Sequence, residues 1–128
     1  MVYIVDDDAA IRQALTRLMR SAGLAVEAFA SVQALLDKAP FAPRACVVAD
    51  IRMPGQSGLE LPRLLLRQHR HLPVIFITAY DTDEHRQAAH AAGAAAFFPK
   101  PVDGEALLDA ISWAVESAVD GAGGRSSS

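Results

Sequence analysis

Residues 45–50 read Ala-Cys-Val-Val-Ala-Asp, five small or branched apolar residues closed by a single carboxylate. The run lacks polar alternation, which is how a strand reads when helices cover both faces of its sheet, and sheets covered in that way are parallel. Working outward, Val2–Val5 is a similar run that ends on Asp6-Asp7-Asp8. Val26–Phe29, Val74–Thr78 and Ala95–Phe98 supply three more. Between these runs the apolar residues recur at helical spacing: Ile11, Leu15, Leu18 and Met19 over residues 9–21, with Gly23 as the stop, then Val32, Leu35 and Leu36 behind a Ser31 cap. Ser57 and Glu60 have the spacing of a capping box, which predicts a helix from Gly58 toward His69 with a start loosened by Pro62. An alanine-rich helix is expected from Asp81 or Thr82 to Gly93, and a last one, capped by Asp103, carries Leu107, Leu108, Ile111 and Val115. Strand-like runs alternating with helical stretches define an α/β fold, a doubly wound five-stranded parallel sheet with five helices.

The bulk properties narrow the function. At 128 residues the chain holds one domain with a real core. Its net charge of −3 and lack of a basic stripe argue against nucleic-acid binding by this segment. Cys46 is the only cysteine, so no internal disulfide can form, as suits a reducing compartment. Asp6–Asp8 interrupt the first apolar stretch, so no signal peptide is expected, and no run is long enough to cross a bilayer. A soluble, cytoplasmic domain is expected over residues 1–118. Residues 119–128, glycine- and serine-rich toward the end, are expected to form a flexible tail or the start of a linker.

In an open parallel sheet, ligands bind beyond the carboxyl ends of the strands. Asp6 and Asp7 leave the first strand there, Asp50 the third, Thr78 the fourth and Lys100 the fifth. Converging carboxylates repel one another and hold a proton or a cation, and oxygen ligands with room for water suit Mg²⁺. Each residue also has a plainer reading. Asp8 is an N-cap, Asp50 a turn residue before Met53-Pro54-Gly55, Thr78 an ordinary strand threonine and Lys100 a surface lysine. The bond from Lys100 to Pro101 is one that can adopt the cis form. His69, His71, His85 and His90 share no metal-like spacing and read as solvated helix faces.

Six stretches, taken together, are more specific than any one of them. They are Tyr-Ile-Val-Asp-Asp-Asp at 3–8, Val-Val-Ala-Asp-Ile-Arg-Met-Pro-Gly at 47–55, Ser-Gly-Leu-Glu-Leu at 57–61, Pro-Val-Ile-Phe-Ile-Thr-Ala at 73–79, Ala-Ala-Gly-Ala at 91–94 and Phe-Pro-Lys-Pro at 98–101. In this order the chain resembles the receiver domain of bacterial two-component response regulators over about residues 2–118. The resemblance is greatest to the FixJ-like branch, whose members usually join a receiver to a LuxR-type helix-turn-helix. It implies a flavodoxin-like (CheY-like) sheet in the order 2-1-3-4-5. It implies Asp50 as the phosphoacceptor, taking its phosphoryl group from a phosphohistidine on a sensor histidine kinase. Asp7 is implied as a direct Mg²⁺ ligand (Mn²⁺ as the alternative), Asp6 as a ligand through water, and the Arg52 backbone carbonyl as completing the protein's share, with Asp50 itself in the metal set. Lys100 and Thr78 are implied to bind phosphoryl oxygens. Thr78 and Phe97 stand at the switch positions, with phenylalanine where many relatives have tyrosine.

Arg52 and Tyr80 each lie two residues after a key group, at positions that tune hydrolysis of the acyl phosphate in relatives. Both are bulky here, which predicts a longer phosphorylated lifetime. The surface from Thr82 through Phe98 is the expected output face, serving a homodimer formed on phosphorylation. DNA would be reached only through an output domain absent from this chain, and no membrane partner is expected. The chain is thus read as a signalling module that catalyses only its own phosphorylation and dephosphorylation. One competing reading is a Mg²⁺-dependent phosphatase with an aspartate nucleophile, but haloacid-dehalogenase-like enzymes usually carry a second acid where Arg52 stands. The others are a stand-alone phosphorelay receiver and a degenerate receiver that takes no phosphate. The intact set of Asp6, Asp7, Asp50, Thr78 and Lys100 speaks against the last.

Overall fold

The computed structural model describes residues 1–124. Five strands, β1 (Val2–Val5), β2 (Val26–Phe29), β3 (Cys46–Asp50), β6 (Val74–Thr78) and β7 (Ala96–Pro99), form one parallel sheet in the order β2-β1-β3-β6-β7. Counting the sheet strands alone, that is the expected order 2-1-3-4-5. The remaining two, β4 (Arg52–Met53) and β5 (Gln56–Ser57), make a short antiparallel ladder after β3. The sequence reading missed it. Pro54 followed by Gly55 at φ +75° is the composition of a type II turn, and that turn folds the two ends together.

Alternate residues of the strands supply two cores, one on each face. Tyr3, Val5, Val47, Ala49, Val74 and Phe76 meet α2 (Val32–Lys38), α3 (Leu61–Arg67) and α4 (Asp83–Ala91) through Val32, Leu35, Leu61, Leu65 and Ala89. Val2, Ile4, Cys46, Val48, Ile75 and Ile77 meet α1 (Ala9–Ser21) and α5 (Gly104–Gly124) through Leu15, Met19, Leu107, Ile111 and Ala114. The central strands have no polar face because neither face sees water. Burial pushes the Cys46 thiol up to about 12, so it behaves as a small hydrophobe.

Helix ends follow their caps. Asp8, Ser31, Thr82 and Asp103 each accept a backbone N–H from the first turn that follows. α1 and α4 end with Gly23 (φ +77°) and Gly93 (φ +86°), whose left-handed backbone closes the last turn. α3 differs from expectation at both ends. Residues Gly58–Glu60 form a 3₁₀ turn, and the Ser57 hydroxyl accepts from Leu59 at 3.2 Å rather than from Glu60. Glu60 pairs with Arg63 at 2.8 Å, so the reciprocal capping box does not form. Pro62 falls in the first α-helical turn, where its missing N–H breaks no bond. The helix stops at Arg67 because His69 takes a left-handed backbone (φ +58°) and the N–H of Arg70 returns to Leu65. α5 runs through the boundary expected at residue 118, because glycine weakens a helix without forbidding it. The rest of the expected flexible tail, residues 125–128, lies outside the described residues. Among the described residues no helix is long and apolar enough to cross a membrane.

Candidate functional site

The strand order reverses at β1, and the crevice beyond the ends of β1 and β3 is where such a sheet binds ligands. Asp6 follows β1 and is fully buried. Its Oδ1 accepts the Asp8 N–H at 2.9 Å, its Oδ2 accepts from Lys100 Nζ at 2.9 Å, and its carbonyl accepts from Arg12 Nη1 at 2.7 Å. Lys100 Nζ also donates to Asp50 Oδ2 at 3.3 Å, so one ammonium bridges the ends of β1 and β3. The Lys100-Pro101 bond is cis. The backbone N–H of Lys100 donates to the Thr78 carbonyl at 2.7 Å, which ties its position to β6.

Asp7 is exposed, and one carboxylate oxygen each from Asp6, Asp7 and Asp50 lies within 4.8 Å of the others. Three carboxylates against one ammonium leave the pocket two charges negative when all are ionised. Burial pushes the Asp50 carboxyl above its ordinary value, and Asp6 adds to the rise; Lys100 pulls the other way without offsetting it. Burial alone would lower Lys100, but its bonds and charge attraction to Asp6 and Asp50 outweigh that and raise it. A crowded set of oxygen donors, one of them open to water, fits a hard divalent cation.

Asp50 is the last residue of β3, and its Oδ1 accepts the Arg52 N–H at 3.4 Å. The following loop is folded back by Gly58, whose N–H donates to the Ile51 carbonyl at 2.8 Å. A Cβ at Gly58 would overlap the Asp50 carbonyl oxygen, so this close approach sets the height of Asp50. The sequence reading passed over that role: without a positive φ, Gly58 looks like any residue opening a helix. Arg12 was missed too, and only its place one turn after Asp8 hinted at it.

Thr78 is fully buried, and its hydroxyl accepts the Tyr80 N–H at 3.0 Å. Phe97 is half-buried opposite Phe76, two residues before Thr78, so both switch candidates share one face of the sheet. The Arg86 guanidinium lies 5.5 Å from the Phe97 ring centre. Arg52 and Tyr80 are both exposed. They stack on each other, guanidinium to ring centre 4.2 Å. His85, on α4 and half-buried, also has contacts at Nδ1 with the Tyr80 carbonyl (2.9 Å) and the Thr82 hydroxyl (3.0 Å).

The protein is a doubly wound α/β sheet with acids and a lysine gathered at its switch point and a buried threonine at the end of the next strand. Residues 2–112 match the response regulator receiver domain, and the chain belongs to that family. It is 40% identical over 116 residues to Nodulation protein W of Bradyrhizobium diazoefficiens, covering 91% of this chain and 51% of that protein. It is 41% identical over 110 residues to Transcriptional regulatory protein FixJ of Azorhizobium caulinodans, covering 86% and 52%. The crystal structure of FixJ-N superposes with a TM-score of 0.82 at 36% identity, covering 90% of this chain and 92% of that one. The chain spans about half the length of the curated relatives it matches.

Proposed function

We propose that Asp50 accepts a phosphoryl group from a phosphohistidine on a sensor histidine kinase, and that the resulting acyl phosphate switches the face formed by residues 82–98. The observation that carries the reading is the Lys100 ammonium spanning Asp6 and Asp50 beside the exposed Asp7. In the transfer an Asp50 carboxylate oxygen forms the new P–O bond while the P–N bond breaks, and the imidazole leaves with the electron pair of that bond. Such transfer is catalysed by positioning and by dispersing charge over the equatorial oxygens. Lys100 takes one phosphoryl oxygen and the Thr78 hydroxyl donates to another, giving up its present bond from Tyr80.

Asp7, Asp50 and the Arg52 carbonyl would hold Mg²⁺ directly, with Mn²⁺ as a substitute. Asp6, both of whose oxygens are engaged, would act through water. The bound cation would supply the positive charge that lets an acyl phosphate sit among acids. Phe97 would turn inward behind Thr78, and the 82–98 face would pair with a second copy. The bulk of Arg52 and Tyr80 would keep water from the acyl phosphate. In this reading the chain is a cytoplasmic signalling module whose only chemistry is on itself. It reaches DNA through an output domain outside this chain, a reading supported by the similarity to Transcriptional regulatory protein FixJ.

The test is incubation with a labelled small phosphodonor. Stable label that requires Mg²⁺ and is lost in Asp50→Asn is expected. Turnover of the donor without retained label would favour a phosphatase, and absence of both would favour a degenerate receiver.

A further inference from the structure

Arg52 follows β3 and Tyr80 follows the neighbouring β6, and each is tied by its own backbone to the residue that ends its strand. The Arg52 N–H donates to Asp50 and the Tyr80 N–H donates to Thr78. Their side chains then close on each other at 4.2 Å. The Tyr80 carbonyl is occupied as well, accepting the Thr82 N–H at 3.0 Å and facing His85 Nδ1 at 2.9 Å. A carbonyl only accepts, so His85 Nδ1 carries the proton in that contact. Thr82 is the N-cap of α4. One chain of contacts therefore runs from Asp50 through Arg52 and Tyr80 to the first turn of α4.

We infer that the Arg52–Tyr80 stack is a clasp that holds the phosphate-free conformation and opposes the switch. The inference rests on the phosphorylation reading above and adds a regulatory element to it. A phosphoryl group on Asp50 competes for the two hydrogen bonds that anchor the clasp, since its oxygens draw in the Thr78 hydroxyl and crowd the Arg52 N–H. Once Thr78 turns, the Tyr80 amide loses its acceptor and the ring is free to leave the guanidinium. Anything that stabilises the resting form lowers the apparent affinity for a ligand that needs the other form, by the fraction of molecules already in it. Removing the clasp should therefore make the phosphate-free protein easier to switch, beyond any change in access for water.

The experiment is a double-mutant cycle read by titration with beryllofluoride, an unreactive phosphoryl mimic, in the presence of Mg²⁺. Wild type, Tyr80→Leu, Arg52→Gln and the double variant are compared. An exposed guanidinium–ring contact is worth enough to change an equilibrium about two- to five-fold. Tyr80→Leu is expected to tighten mimic binding by about that factor when Arg52 is present, and to leave it unchanged in the Arg52→Gln background. The cycle cancels a direct pull of Arg52 on the mimic that does not depend on Tyr80, because it is present in wild type and Tyr80→Leu alike and absent from both proteins that carry Arg52→Gln. Equal effects of Tyr80→Leu in the two backgrounds, no effect in either, or weaker binding with Arg52 present would each overturn the clasp. Failure of wild type to bind the mimic, or binding undiminished in Asp50→Asn, would instead overturn the phosphorylation reading on which the clasp rests.

Discussion

Two acid–base clusters in this molecule invite comparison. Arg86 meets Asp81 through two parallel bonds, Nε to Oδ1 at 2.6 Å and Nη2 to Oδ2 at 2.8 Å. Lys100 reaches Asp6 and Asp50 at 2.9 and 3.3 Å, without a planar fork and with two acids competing for one charge. By geometry the first is the better ion pair. By consequence it should be the lesser one, because both its partners are solvated and water already serves each of them. The second cluster holds a wholly buried carboxylate and a nearly buried one, for which water is no substitute. Burial and imbalance of charge, rather than bond length, mark the region proposed above as the phosphoacceptor site.

Removing the shared cation is the hardest way to strain that contrast. Lys100→Met leaves Asp6 buried without its charged partner, and breaking a buried pair in this way typically costs about 3–5 kcal/mol. Denaturant unfolding at neutral pH should show a loss of that order. The loss should shrink in acid, as the carboxylates protonate, and shrink also when Mg²⁺ supplies the missing charge. Lys100 itself titrates above the ordinary lysine value, so its contribution is complete at neutral pH and fades only as pH rises through that raised value. A variant as stable as wild type would mean that the pocket is held by its backbone alone.

Asp50 gives the opposite sign and a smaller size. Its folded pKa is raised, chiefly by burial, so the folded state binds a proton more readily than the unfolded chain. Stability then falls as pH rises between the unfolded and folded values, and the penalty is complete above the folded one. Asp50→Asn removes that penalty and should stabilise the metal-free protein at neutral pH by about 1 kcal/mol, the usual scale of a single gain at a functional site. The gain should disappear below the ordinary aspartate range, where wild type is protonated in both states. Mg²⁺ should stabilise wild type and narrow or reverse the difference, which thermal unfolding with and without the cation will show. A less stable variant at neutral pH would mean that attraction to Lys100 outweighs burial.

The same contrast explains what could be read in advance. Asp6, Asp50, Thr78 and Lys100 each end an apolar run, and a parallel sheet brings such ends together, so their meeting followed from position along the chain. The five strands fell within a residue of their observed bounds because unbroken apolar runs have sharp edges. Features that depend on distances across the fold were not legible. Gly58 matters because Asp50 lies against it, and the 3₁₀ start of α3 arises where that loop must turn back. The stack of Arg52 on Tyr80 joins residues twenty-eight positions apart with no periodicity to announce it. The contacts of His85 were hidden for the same reason: helical spacing says which face a residue occupies, not which carbonyl lies above it.

The smallest effect tests the other half of the comparison. Asp81 lies below its ordinary pKa, first because Arg86 donates hydrogen bonds to it, and Arg86 is raised in return. Those shifts record a preferred geometry at a site open to water, where fixing two side chains offsets most of the attraction. Asp81→Ala should leave the unfolding midpoint indistinguishable from wild type at both low and high salt. Arg86→Ala removes the same pair together with the guanidinium near the Phe97 ring, so any excess loss over Asp81→Ala belongs to that ring contact. The two variants thus separate a salt bridge from a packing role, which the ion-pair distances alone would not do. An Asp81→Ala loss approaching that of Lys100→Met would mean that bond geometry outweighs burial after all, and the ranking of the two clusters would have to be inverted.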